Sequence, residues 1–205
     1  MLRSHFGDLQ FLHSMAATRD ETAGQTRRKI LMWAELTWRV AIGEFNRGTV
    51  VANTGIDNIR NYFRPGETIQ TLFTRGNPTH RPRIGEFAFG SLLHTLHDSF
   101  TRSHTDRDEA DGSLCGPGLP DRPGRIRQFL NYSLQDSGLH GDQDTRAAAD
   151  LQIALVQPDM IDIGRVLRDK LAQGALWEDV QPLMACIFDV EDENTPSGPG
   201  AFAKQ

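Results

Sequence analysis

His94 and Asp98 stand four residues apart in the stretch LLHTLHDSFTRSH. On a helix that spacing puts both side chains on one face, one turn apart. An imidazole nitrogen and a carboxylate oxygen so placed can serve one metal ion, and both are ligands suited to zinc. His104 follows Asp98 by six residues, at or just beyond the helix end, where it could face a second ion. His140 and Asp144 repeat the four-residue spacing in HGDQD, and HFGDLQFLH near the start offers His5, Asp8 and His13. Of the seven histidines only His80 lies outside these stretches.

Each piece has a plainer role open to it. An isolated HxxxD is most often a surface pair, and His13 fits equally well as a core histidine bonded to a carbonyl. Asp8 suits the cap of a short helix, and Asp144 suits the positive end of a helix dipole. His97 points partly away from the His94 face, which gives it a structural or supporting role. His5 and His80 are lesser candidates.

The elements that must position these residues read as helices. Apolar residues recur at Ile30, Leu31, Ala34, Trp38, Ala41 and Ile42, a helical period over 21–45. Leu92, Leu93, Leu96 and Phe100 seat a second helix, 87–104, in a core. Further helices are expected over 125–135, 142–156, 162–172 and 175–190, the last with Pro182 inside it. A short strand at 49–53 is the best β candidate. Prolines and glycines mark loops at 64–83 and 106–124, long enough to border a cleft. The expectation is a single all-α helical-bundle domain over 1–190, with long loops bordering a metal cleft, and a disordered tail over 191–205.

Hydrophobic residues make up 38% of the 205 and charged residues 24%, a globular composition. The net charge of −5 gives no electrostatic basis for general nucleic-acid binding. An acidic chain can still act on an anionic phosphodiester if a metal supplies positive charge locally. Cys115 and Cys186 form no zinc-knuckle pattern, and one disulfide or two free thiols are equally open. The chain contains no apolar run of about 18 residues, the length that suggests a membrane span. Its first residues lack the apolar core of a signal peptide.

Taken together, HxxxDx5H at His94, Asp98 and His104, the later HxxxD at His140 and Asp144, and HFGDLQFLHSMA at the start resemble the zinc-dependent phospholipase C and single-strand-specific nuclease superfamily. The N-terminal stretch and the following ILMWAELTWRVAIG are more similar to the bacterial phospholipase C branch. The resemblance implies an all-α protein with clustered zinc ions, two or three in number. It implies that His94 and Asp98 hold one zinc, completed by Asp8 and His13, with Asp98 bridging to another. His104, His140 and Asp144 would hold the more exposed ion, and Asp8 and Asp98 would be the catalytic carboxylates. The family's N-terminal tryptophan has no counterpart near Met1, and its early Asp and His stand farther apart than Asp8 and His13.

The implied activity is hydrolysis of the glycerol-side phosphodiester of a phospholipid, such as phosphatidylcholine, by a metal-activated water. The protein would act as a monomer at a membrane surface, secreted or delivered outside the cytoplasm. A single-strand nuclease of the same superfamily, with nucleic acid as its substrate, is the nearest rival. A non-catalytic helical interaction domain, of the kind found in toxins and effectors, is the rival from another class.

Overall fold

The computed structural model describes residues 3, 7–116 and 119–204. Among them are seven α-helices, six short 3-10 segments and one two-stranded sheet, so the chain is mostly helical but not purely so. No helix of the described residues is long and apolar enough to cross a membrane.

Helix α1 (Ala23–Ala41) begins where Thr22 and Gln25 cap each other: each side chain receives the other's backbone N–H, satisfying two amides that a helix start leaves unpaired. Ile30, Trp33, Ala34, Leu36 and Trp38 bury it on nearly every side, making it the central rod of the core. A short helix α2 (Ile69–Thr74) and a 3-10 segment (Pro78–Arg83) lead into α3 (Ile84–Asp98). The two long helices pack along each other. Gly85 lets them approach, because a Cβ there would meet the Ala41 carbonyl oxygen at 3.1 Å. Ala88, Leu92 and Leu96 turn inward from α3, leaving His94 and Asp98 along another side of the helix.

After α3 the chain turns and enters β1 (Thr105–Arg107), which pairs antiparallel with β2 (Ile126–Phe129) in the register Thr105 to Phe129 and Arg107 to Ile126. Arg107 ties this corner together. Its guanidinium donates to the carbonyls of Ser99, Gly124 and Ile187 and lies 4.8 Å from the Phe100 ring centre. Burial of that head group pushes its pKa down to about 9, which still leaves it charged at neutral pH. Helices α4 (Ser137–Gly141), α5 (Arg146–Leu155), α6 (Met160–Ala172) and α7 (Trp177–Ile187) follow, α7 running on through Pro182. A disulfide joins Cys115 in the loop after β1 to Cys186 on α7.

Three sequence expectations need correction. The span 125–135 is not a helix but strand β2 followed by a 3-10 segment at Tyr132–Leu134. Ile126, Phe129 and Leu130 satisfy the helical spacing, and all three are buried, yet pairing with β1 takes the backbone. Periodicity alone does not separate short apolar runs of either kind. At 49–53, Val50 forms only an isolated bridge to Thr68, and Val51–Asn53 is a 3-10 turn.

The segment after Glu191 is not a disordered tail but a strap stitched across the domain. Ala23 and Gly24 donate backbone N–H to Thr195 and Glu193, and Ser197 to Glu21. Asn131 and Asp136 donate to Gly198 and Phe202, and Lys204 to Leu134. All of these are backbone-to-backbone bonds, so the polar composition of the segment carried no sign of them.

Candidate metal centre

The 3-10 segment Gln10–His13 is pinned to α3 by a reciprocal pair of side-chain bonds. Ser14 Oγ donates to the Thr95 carbonyl at 2.6 Å, and Thr95 Oγ1 donates to the Leu12 carbonyl at 2.8 Å. Thr95 stands next to His94 in the chain, so this staple delivers His13 to the face that carries His94 and Asp98. Ser14 adopts a left-handed conformation (φ 53°) to make the turn, a strained choice for a residue other than glycine.

The result is a tight triangle. His13 Nδ1 lies 2.9 Å from Asp98 Oδ2 and 2.9 Å from His94 Nε2, and His94 Nε2 lies 3.2 Å from Asp98 Oδ2. A tetrahedral zinc with bonds of about 2.0–2.1 Å spaces its ligand atoms by roughly 3.3 Å, so these three atoms already define one face of such a polyhedron. His94 is half-exposed while Asp98 is largely covered.

Beyond α3, backbone bonds from His104 and Thr105 to the Thr101 carbonyl fold the chain back and bury His104. Its Nδ1 donates to the His13 carbonyl oxygen at 2.7 Å, which leaves Nε2 with a free lone pair. That Nε2 is buried without a hydrogen-bond partner and lies 3.4 Å from Asp144 Oδ1. His140, at the end of α4, presents Nε2 to Asp144 Oδ2 at 3.3 Å. The His104 and His140 rings stack at 4.9 Å, and the Tyr132 ring meets His140 edge-on at 4.6 Å. With the ring neutral, a buried nitrogen lone pair 3.4 Å from a carboxylate oxygen fits a cation placed among them. His104, His140 and Asp144 form this second triad. Within each triad the candidate ligand atoms lie within 4.8 Å of one another.

Electrostatics follow from this crowding. Burial works against a charge on His104, but Asp144, Asp98 and the His13 carbonyl outweigh it and raise its pKa. Burial pushes the Asp144 carboxyl up, but His104 and His140 prevail and hold it far below the ordinary range. Both triads open on one cleft of about 380 Å³, also lined by Met15, Thr101, Tyr132, Gln143, Ala149 and Met160. No lysine or arginine is among its described lining residues.

Six of the seven residues expected as ligands are thus brought together: His13, His94, Asp98, His104, His140 and Asp144. Asp8 is not among them. It forms a two-pronged ion pair with Arg3 at 2.7 and 2.9 Å, and the hydrogen bond from that guanidinium, against some burial, lowers its pKa. It lines a separate cleft with Lys29 and Tyr62. His97 is half-buried at the edge of the metal cleft, where burial lowers its pKa against the pull of Asp98. His80 lies outside the cluster, its Nε2 3.2 Å from Asn77 Nδ2 and its ring 4.6 Å from that of Phe87. His5 lies outside the described residues.

The long loops do not border this cleft as expected, since no described residue of 64–83 or 106–124 lines it. The first folds into α2 and a 3-10 segment, and the second is drawn to α7 by the disulfide. Sequence reasoning also passed over Ser14, Thr95 and Gln135, polar residues in ordinary contexts whose roles arise only from tertiary contact. Comparison of the chain with protein-family models, with curated proteins and with solved structures yields no match.

Proposed function

We propose that the protein is a zinc-dependent phosphodiester hydrolase acting as a phospholipase C, cleaving the glycerol-side P–O bond of a phospholipid such as phosphatidylcholine. The observation that carries this reading is the pair of adjoining His/Asp triads on one cleft, each offering three nitrogen or oxygen ligands. Three protein ligands per ion is the pattern of catalytic rather than structural zinc, because it leaves a position for water or substrate. Zinc held there supplies a Lewis acid for a phosphoryl oxygen and lowers the pKa of a coordinated water.

The chain's own residues do the rest. His104 and His140 keep their Nδ1–H groups engaged and offer Nε2, so both imidazoles enter as neutral ligands of fixed orientation. Asp98 turns one oxygen toward His13 and His94, and the same oxygen lies 3.7 Å from His104 Nδ1 at the junction of the triads. With no lysine or arginine among the described residues that line the cleft, the substrate phosphate would rely on the metal positions for its counter-charge. Hydrolysis adds the water oxygen to phosphorus and returns a proton to the departing diacylglycerol oxygen.

A lipid substrate is favoured over single-stranded nucleic acid by the cleft wall. Met15, Met160 and Ala149 give its otherwise polar wall an apolar part, and apart from the histidines Tyr132 is the one aromatic side chain among its described lining residues, whereas single-strand binders usually present several stacking surfaces. Helix α5, which contributes Ala149, also exposes Leu151 and Leu155, and Leu139 is exposed beside His140. These suit contact with a membrane surface. The Cys115–Cys186 disulfide fits an oxidising location outside the cytoplasm.

The test is substrate release by the zinc-loaded protein. Phosphocholine freed from phosphatidylcholine vesicles, with no cleavage of single-stranded DNA, supports the reading. DNA cleavage without lipid hydrolysis assigns the site to the nuclease chemistry instead, and inactivity on both points to an interaction domain.

A further inference from the structure

Gln135 is buried beneath the second triad. Its Nε2 donates to two backbone carbonyls, Ser103 at 2.8 Å and Pro199 at 3.1 Å. Carbonyls only accept, so the amide can face them only with its nitrogen. The opposite end, Oε1, is thereby aimed at His140 Nδ1 at 2.7 Å and can only accept there. In its neutral form His140 then carries its proton on Nδ1 and presents a bare Nε2 toward Asp144.

Both anchors have meaning in the fold. Ser103 precedes His104, the partner imidazole of the same triad. Pro199 belongs to the C-terminal strap, which also accepts the backbone N–H of Asn131 and of Asp136 on either side of Gln135.

We infer that Gln135 is a positioning residue for the second metal site, locked by the Ser103 and Pro199 carbonyls so that it fixes the tautomer and ring orientation of His140. Its consequence for metal binding rests on the zinc reading above; its consequence for the tautomer does not. A metal-bound histidine whose other ring nitrogen loses its acceptor generally binds metal 10–100-fold more weakly. The strap, remote in sequence from every candidate ligand, becomes through Pro199 a structural part of this metal site.

The experiment compares the full chain with Gln135→Leu and Gln135→Glu in two ways. Zinc is titrated against a chromophoric chelator, and long-range proton–nitrogen spectra of the metal-free proteins report the His140 tautomer. In the wild type, two zinc ions and an Nδ1–H tautomer are expected. Gln135→Leu should weaken one ion about 10–100-fold, leave the other unchanged and mix the tautomers. Gln135→Glu keeps the acceptor toward His140 but sets a carboxylate oxygen against the Ser103 and Pro199 carbonyls, so it should hold the Nδ1–H tautomer while recovering only part of the lost affinity.

Wild-type affinities and tautomer in Gln135→Leu would overturn the inference. So would equal loss at both sites with the His140 tautomer unmoved in Gln135→Leu, the mark of a purely structural role. If the wild type takes up no zinc, the zinc reading falls, and the metal-free spectra still decide whether Gln135 holds the tautomer.

Discussion

His104 Nδ1 donates to the backbone carbonyl of His13 at 2.7 Å, while the His13 side chain faces Asp98 and His94. One residue therefore supplies a candidate ligand to the first triad and orients a candidate ligand of the second. The two sites share a mechanical joint, and a disturbance of the Gln10–His13 segment reaches both.

Substitution at either triad should separate chemistry from folding. His94→Ala, Asp98→Ala or His140→Ala is expected to abolish phosphodiester hydrolysis while the helical circular dichroism is largely retained, because these side chains lie at the cleft. Full activity in a metal-stripped His94→Ala protein would contradict the assignment.

Stability should respond to pH with opposite signs in the absence and presence of zinc. In the metal-free fold the His104 pKa is raised. Its contribution is therefore complete below the unfolded value of about 6.5 and lost as pH rises through the folded value. The Asp144 pKa is lowered, so its contribution is present above about 3.9 and lost as pH falls further. The metal-free melting temperature should fall from about pH 6 upward. With saturating zinc it should rise over that window, since metal binding requires deprotonated imidazole. Scanning calorimetry with and without zinc checks the two slopes; slopes of the same sign would count against the triads as metal sites.

The disulfide should be a large stabiliser. It joins residues 71 apart in sequence, and chain-entropy arguments assign a loop of that length about 4 kcal/mol. Cys115→Ser with Cys186→Ser should lower the unfolding free energy by that order in denaturant titration, leaving zinc stoichiometry intact because neither cysteine lines the cleft.

Arg107 should be the most sensitive charged residue outside the cleft. Replacing it with Met leaves the Ser99, Gly124 and Ile187 carbonyls without this donor. At about 1 kcal/mol for each hydrogen bond, the expected loss is about 3 kcal/mol, measurable by urea unfolding.

The legible parts of the site were those set by local periodicity. His94 and Asp98 share a face because α3 is a regular helix, and its apolar face was readable from Leu92 and Leu96. His140 and Asp144 also come together, although His140 is next to last in the short helix α4 and Asp144 lies in the turn beyond it. His13 was a bare candidate in sequence, and its placement depends on the Ser14–Thr95 staple, which joins residues 81 apart. Asp8 illustrates the converse: it has a suitable type and position, but Arg3 engages it. The strap and β2 escaped detection for one reason. Both are held by backbone hydrogen bonds to distant segments, and these leave no trace in side-chain pattern.

Zinc stoichiometry tests the central claim most directly. The purified protein, saturated with zinc and freed of loose metal, is assayed by elemental analysis beside His94→Ala and His140→Ala. Two ions per chain are expected in the wild type and one in each variant. A wild-type chain that retains no zinc, with its fold intact, would contradict the account.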